Sequence, residues 1–164
     1  EAGEMRIGQV VADAQLAATR GAEAGGAQLA LMNPGGLRAA LAPRANAEVY
    51  YEDLFAVQPF YNNLVTLTLS GAQLLQVLEQ QWLNQPRPRI LQVSSGFGYT
   101  WDAAKPTGQR IVPGSAQLHG KVLEPQANYR VTVNSFLAGG GDNFAALKLG
   151  RDARTGMMDV DALA

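Results

Sequence analysis

Residues 64–78 read Leu-Val-Thr-Leu-Thr-Leu-Ser-Gly-Ala-Gln-Leu-Leu-Gln-Val-Leu, and the pattern changes from strand-like to helix-like within this stretch. Val65, Leu67 and Leu69 alternate with threonines, which is typical of a β-strand. Ser70 stands three residues before Gln73 and predicts a capping box, in which each side chain accepts a hydrogen bond from the other residue's backbone N–H as a helix begins. A strand that passes directly into a helix predicts mixed α/β structure.

The flanking sequence extends this prediction to one domain over residues 1–164. Helical spacing of apolar residues covers 7–20, and the helix after Ser70 is ended by Pro86 and Pro88. The remaining predicted elements are a strand over 28–32, a short helix over 51–55, short β-runs at 90–93, 97–102, 109–112 and 129–133, and a loop over 134–144. With no repeat and no linker, the chain is predicted to be a single mixed α/β domain of the α+β class.

Composition excludes several classes of protein. The formal net charge is −1, with 13 basic and 14 acidic residues and no basic stripe, which argues against binding of polymeric nucleic acid. There is no cysteine, so disulfides and thiolate metal sites are excluded. No apolar stretch approaches the roughly 20 residues that a membrane-spanning helix needs.

Groups suited to catalysis are sparse. The sequence has one histidine, His119, beside Gly120 in a predicted turn. A two-metal phosphatase needs a cluster of His, Asp and Asn ligands, which one histidine does not supply. Asp13, Asp53 and Asp102 are expected to be solvated or capping carboxylates. We therefore expect neither a catalytic residue nor a metal site in this chain.

Three segments are better suited to binding. Asn33 to Arg38 places two glycines and an arginine after a predicted strand, where backbone and guanidinium can approach a phosphate, although a Pro-Gly-Gly turn is often only a turn. Phe60 precedes the next strand, and its alternative role is to cap the core. Phe136 is followed by three glycines and Asp142, whose carboxylate can accept hydrogen bonds from a sugar diol. Two rings that stack on a base, a diol-binding carboxylate and a phosphate-binding arginine describe a mononucleotide site.

Several motifs occur in an order that resembles a known family. They are residues 8–14 (family G-N-L-x-x-D-A), 33–38 (N-x-G-G-x-R), 58–62 (P-F-x-N), the strand-Ser-Gly-helix of 67–78, 95–102, and 134–144 (F-L-x-x-G-G-D-x-F). Over nearly its whole length the chain resembles the C-terminal, substrate-binding domain of the 5'-nucleotidase, UDP-sugar hydrolase and 2',3'-cyclic-nucleotide phosphodiesterase family.

The resemblance implies a role for each of seven residues. Phe60 and Phe136 would clamp the base, and Asp142 would hold the ribose hydroxyls. Asn33 would approach the base, and Arg38 would meet the phosphate. Asn62 and Gly96 would line the same pocket.

The resemblance also implies partners for this domain. Two divalent metal ions would be held by an N-terminal metallophosphatase domain of the same polypeptide, absent from this chain, and the protein would be periplasmic, secreted or at the cell surface. Such a hydrolase would act on nucleotides in nucleotide catabolism. The alternatives are a non-catalytic module that binds a nucleoside or nucleotide-sugar, and a structural domain with a repurposed pocket.

Some positions depart from the family pattern. Gln9 replaces an asparagine, and Pro34 and Asn143 stand where glycine is frequent. The family also has an arginine just upstream of the first helix, and here only Arg6 is near, out of register.

Overall fold

A five-stranded mixed sheet forms the centre of the structure, a computed structural model that describes residues 3–42 and 48–164. The strands within these two ranges are β1 (Leu29–Met32), β2 (Asn63–Ser70), β3 (Gln92–Val93), β4 (Phe97–Gly98), β5 (Gln117–Leu118), β6 (Lys121–Val122), β7 (Asn128–Asn134) and β8 (Arg151–Met158). The central sheet has the order β3-β1-β7-β2-β8, in which β1 and β7 are parallel and the other pairs are antiparallel. The remaining three strands form a small sheet, β4-β5-β6.

Helices cover both faces of the central sheet. They are α1 (Arg6–Thr19), α2 (Tyr51–Val57), α3 (Gly71–Glu79), α4 (Ser135–Ala138) and α5 (Asp159–Leu163). Leu67 and Leu69 of β2 face a core that includes Leu74 of α3, whereas Met32 of β1 packs against Val11 of α1 on the other face. Neighbouring residues of a strand point to opposite faces, so α1 and α3 lie on opposite sides of the sheet. The predicted α+β class is confirmed.

The junction between β2 and α3 has the predicted capping box. The Ser70 amide donates to Gln73 Oε1 at 2.8 Å, and the Gln73 amide donates to Ser70 Oγ at 3.2 Å. Leu74 and Leu78 are fully buried, and each such leucine stabilises the fold by about 1.5–3 kcal/mol relative to an exposed one.

Polar residues on the α1 face of the sheet are also buried. Thr66 is 1% exposed, and its hydroxyl lies 2.7 Å from that of Thr132, which lies 2.7 Å from the hydroxyl of Thr19 in α1. Thr19 Oγ1 in turn bonds to the Gln15 carbonyl at 2.7 Å. This chain of hydroxyls satisfies groups that would be costly to bury unpaired.

The structure differs from the sequence-based prediction in its second half. The segment 134–144, predicted as a loop, begins with α4 because the Asn134 side chain caps this helical turn. The run 109–112 forms only an isolated bridge between Ile111 and Trp101. Strand β8 was not predicted, because residues 151–157 are all exposed and show no alternation; it is held as an edge strand by backbone pairing with β2. The described helices lack the combination of length and apolar character that a bilayer span requires.

Candidate functional site

One end of the central sheet brings together segments that are distant in the sequence. Asn33 follows β1 and Asn134 ends β7, and these strands run parallel. Strand β2 runs antiparallel to β7 with Leu64 opposite Asn134, so the residues that precede β2 arrive at the same end. The topology therefore gathers three of the predicted binding segments at one edge.

A cavity of about 420 Å³ opens at this edge. Its walls include six of the seven residues predicted from the sequence, namely Asn33, Arg38, Phe60, Asn62, Phe136 and Asp142. Gly96 does not line it. Gly96 instead lies against His119, whose amide donates to the Gly96 carbonyl at 2.6 Å, and lines a separate cleft beside the start of α1.

Two phenylalanine rings stand half-exposed at the cavity. Phe60 is 51% exposed and Phe136 is 48% exposed, so neither ring caps the core as an apolar residue of this size usually does. The Arg38 guanidinium lies 5.7 Å from the centre of the Phe60 ring, within the range of a cation–π contact. The cavity thus offers apolar faces beside a cation.

A chain of side-chain hydrogen bonds fixes the polar wall of the cavity. Asn134 Oδ1 accepts from the Leu137 amide and its Nδ2 donates to Asn33 Oδ1, both at 2.9 Å. Asn33 Nδ2 donates to Asp142 Oδ2 at 2.7 Å, and Arg89 Nη1 donates to Asp142 Oδ1 at 2.6 Å. Asn33 and Asn134 are almost wholly buried, so these bonds orient the Asp142 carboxylate.

The glycines before Asp142 have distinct roles. Gly140 has a φ of 81°, and Asp142 itself has a φ of 54°, so the chain turns through left-handed conformations here. Gly141 has an ordinary φ, but a Cβ at this position would lie 2.6 Å from the Phe136 ring. The absence of a side chain at Gly141 therefore lets the Phe136 ring lie against the loop.

Two hydrogen bonds hold Asn62 in place, one from Asp159 and one from Ser135. The Asn62 carbonyl accepts from the Asp159 amide at 2.8 Å, and Asn62 Oδ1 accepts from Ser135 Oγ at 3.2 Å. Asp159 is 2% exposed, and burial raises the pKa of its carboxyl to about 6.

Three further residues with cationic or amide side chains also line the cavity, and none of them was predicted from the sequence as a site residue: Arg87, Arg89 and Asn134. The two arginines on either side of Pro88, just before an apolar run, are a sequence pattern that could have indicated these cationic site residues. In the sequence, Pro86 and Pro88 predict only the end of the preceding helix. With Arg38, three arginines face one aspartate in this cavity, which suits an anionic ligand.

Arg6 and Arg38 line a further cleft of about 500 Å³ between the start of α1 and residues 37–41. Although Arg6 is out of register with the family's arginine in the sequence, it lines the same cleft as Arg38 in the structure.

Metal-binding groups do not cluster in the part of the chain that the structure describes. No group of three or more His, Cys, Asp or Glu side chains there is arranged to hold an ion. His119 is exposed at the turn between β5 and β6, with a φ of 50°. The described residues therefore define a mixed α/β domain with an open cavity and no metal centre.

Comparison with known proteins identifies the class of this domain. The family model of the 5'-nucleotidase C-terminal domain matches residues 1–149. The structure resembles a 5'-nucleotidase precursor from Thermus thermophilus, with a TM-score of 0.79 and 34% identity over 98% of this chain and 31% of that one. The chain belongs to the 5'-nucleotidase C-terminal domain family.

Curated relatives are much longer than this chain. Endonuclease YhcR of Bacillus subtilis is 33% identical over 162 residues, which are 98% of this chain and 12% of the relative. Cell wall protein Lmo0130 of Listeria monocytogenes is 35% identical over 151 residues, which are 88% of this chain and 19% of the relative. The chain therefore spans less than a fifth of the length of these two proteins.

Proposed function

We propose that this chain is the substrate-recognition domain of a 5'-nucleotidase-type phosphoesterase and that it binds a nucleoside or nucleotide. The observation that carries the proposal is the grouping of two half-exposed phenylalanines, an oriented carboxylate and arginines around one cavity. Its volume of about 420 Å³ falls within the range of roughly 300–1,000 Å³ that is typical of small-molecule sites.

Each part of a nucleotide has a chemical counterpart in this cavity. The faces of Phe60 and Phe136 suit a flat base, since stacking on an aromatic ring stabilises a bound base by about 1–3 kcal/mol. The Asp142 carboxylate suits the ribose diol, and the Asn33 amide suits the edge of the base. Arg38 suits a phosphate, which a guanidinium can bind with two parallel hydrogen bonds. Asn62 lines the same pocket, whereas Gly96 has no place in this assignment.

Hydrolysis is assigned to a separate domain of the same polypeptide. The described residues do not fit a two-metal centre, so two divalent ions would belong to an N-terminal metallophosphatase domain. The greater length of the relatives supports a further domain. The whole protein would then act on nucleotides in nucleotide catabolism.

An exported location, in the periplasm, outside the cell or at its surface, is part of the same proposal. It is supported by the names of two similar proteins, one a cell wall protein and the other a precursor.

The test is calorimetric titration of adenosine and AMP into the 164-residue chain. Phe136→Ala is expected to weaken adenosine binding by roughly 5–150-fold, the change in affinity that corresponds to a loss of stacking of about 1–3 kcal/mol. Tyr61→Ala is the matched control. Tyr61 is also exposed, at 63%, but its ring packs on Phe55 at 5.1 Å, and it does not line the cavity.

Equal affinities for the wild-type chain and Phe136→Ala would remove the stacking role. A non-catalytic module that binds a nucleoside or nucleotide-sugar is distinguished by the upstream reading frame. Metal-ligand motifs of the form D-x-H and G-N-H-[DE] there support the hydrolase, and their absence would favour the module.

A further inference from the structure

The Asp142 carboxylate is held by a residue from outside the motifs that predicted the site. Arg89 Nη1 lies 2.6 Å from Asp142 Oδ1, although 53 positions separate the two residues in the chain. The side chains are 27% and 13% exposed, respectively. A charge-assisted bond in such a partly buried setting is stronger and more directional than one at the surface.

Arg89 is itself placed by buried structure. Its amide donates to the Gln81 carbonyl at 2.8 Å, and the fully buried Gln81 side chain accepts from the Leu91 amide and from the Tyr99 hydroxyl, each at 2.7 Å. The backbone of Arg89 is thus tied to the end of α3. Its Nε is buried and has no hydrogen-bond partner among the described residues. The ion pair with Asp142 offsets this cost of burying the guanidinium.

Among the described residues, the hydrogen bonds to Asp142 leave its carboxylate with two free acceptor positions. An ionised carboxylate has about four lone-pair sites, two on each oxygen. Arg89 occupies one on Oδ1, and Asn33 occupies one on Oδ2. One acceptor remains on each oxygen, which matches a pair of vicinal hydroxyl groups.

The glycine at position 35 keeps space open beside this pair. A Cβ there would stand 3.3 Å from Asp142 Oδ2 and 3.7 Å from Arg89 Nη1. A larger side chain at this position would cover the carboxylate on the cavity wall.

We propose that Arg89 is a positioning residue that fixes the Asp142 carboxylate for a vicinal diol, so that Arg89 sets the preference of this site for ribose. The inference rests on the proposed nucleoside-binding function. Without Arg89, the carboxylate loses one of the two side-chain donors that hold it within the described part of the chain, and it turns towards the remaining cations of the cavity. A nucleoside that lacks both hydroxyls makes no contact with Asp142, so its affinity is unchanged when Arg89 is replaced.

The test compares adenosine with 2',3'-dideoxyadenosine, both uncharged, by calorimetric titration. The wild-type chain is expected to prefer adenosine by about tenfold or more, the effect of at least one charge-assisted hydrogen bond. Arg89→Met is expected to bring the two affinities within about threefold, mainly by weakening adenosine binding. Arg89→Lys retains a charge and a donor, and it is expected to restore part of the preference.

Arg87→Met is the matched control. Arg87 carries the same charge and lines the same cavity, yet among the described residues it forms no ion pair with Asp142. Its variant is expected to keep the wild-type ratio of the two affinities. Arg89→Gln is a second variant that answers the same question if Arg89→Met does not fold.

The outcomes separate this inference from the function on which it depends. Arg89 variants that keep the wild-type ratio, or that weaken both nucleosides equally, would overturn the positioning role while leaving nucleoside binding intact. A wild-type chain that binds both nucleosides equally would overturn the diol contact and this role with it. A wild-type chain that binds neither nucleoside would overturn the proposed function and the inference together.

Discussion

Replacement of Asn134 by alanine tests the hydrogen-bonded wall of the cavity most directly. Asn134 is 1% exposed, and its side chain both caps α4 at the Leu137 amide and donates to Asn33 Oδ1. Loss of a helix cap costs about 0.5–2 kcal/mol, and a buried acceptor left without a donor costs about 1–3 kcal/mol. We expect Asn134→Ala to lower the free energy of unfolding by roughly 2–4 kcal/mol.

The assay is urea-induced unfolding followed by circular dichroism at neutral pH. With a denaturant slope of about 2 kcal/mol per molar, the expected loss moves the midpoint down by roughly 1–2 M, with little change in the slope itself. Asn134→Ser is the matched control, because serine can still cap α4 but is too short to reach Asn33. We expect the serine variant to lose about half as much stability as the alanine variant.

Two results would refute this reasoning. A loss below about 0.5 kcal/mol for Asn134→Ala, the size of an ordinary surface substitution, would mean that the buried bonds contribute little. Equal losses for alanine and serine would mean that the cap at Leu137 contributes nothing.

Two further predictions concern the β2–α3 junction and a buried carboxyl. Gly71→Ala places a Cβ 2.2 Å from the Glu124 carbonyl oxygen, and this clash should lower the thermal midpoint through a loss of stability of about 1–3 kcal/mol. Gly21→Ala is the control and should leave the midpoint unchanged, because its Cβ meets nothing nearer than 3.9 Å. Equal shifts of the midpoint for the two variants would contradict the clash. Burial raises the pKa of Asp159 from 3.8 to about 6, so the unfolded chain binds fewer protons than the folded chain between these values, and stability falls as the pH rises from about 4 to about 6. Asp159→Asn should flatten that part of the pH–stability curve measured by urea unfolding, and an unchanged slope would count against a raised pKa.

Much of the first half of the fold was predictable because its signals are local. The alternation in β2, the capping box at Ser70 and the helical spacing of α1 each depend on residues within about four positions of one another. The binding segments at Asn33 and Phe136 were also recognisable, because each combines glycines with polar or aromatic side chains next to a predicted strand and their motifs resemble those of a known family.

Strand β8 shows where local signals fail. Residues 151–157 are exposed on both faces, so no pattern of burial marks them as a strand. They become one because the edge of β2 offers free backbone groups, and because the Arg130 guanidinium binds both the Thr68 hydroxyl, at 2.9 Å, and the Asp152 carbonyl, at 2.8 Å.

By itself, the sequence determined the mixed α/β class, the β2–α3 unit and six of the residues around the cavity. Only the tertiary structure decided that Arg89 meets Asp142 and that Gly96 lies beside His119 in a separate cleft. The physical reason is that the pairing of β1, β7 and β2 sets which chain ends converge. That pairing depends on the register of backbone hydrogen bonds between distant segments. The spacing of residues along the chain does not predict this register.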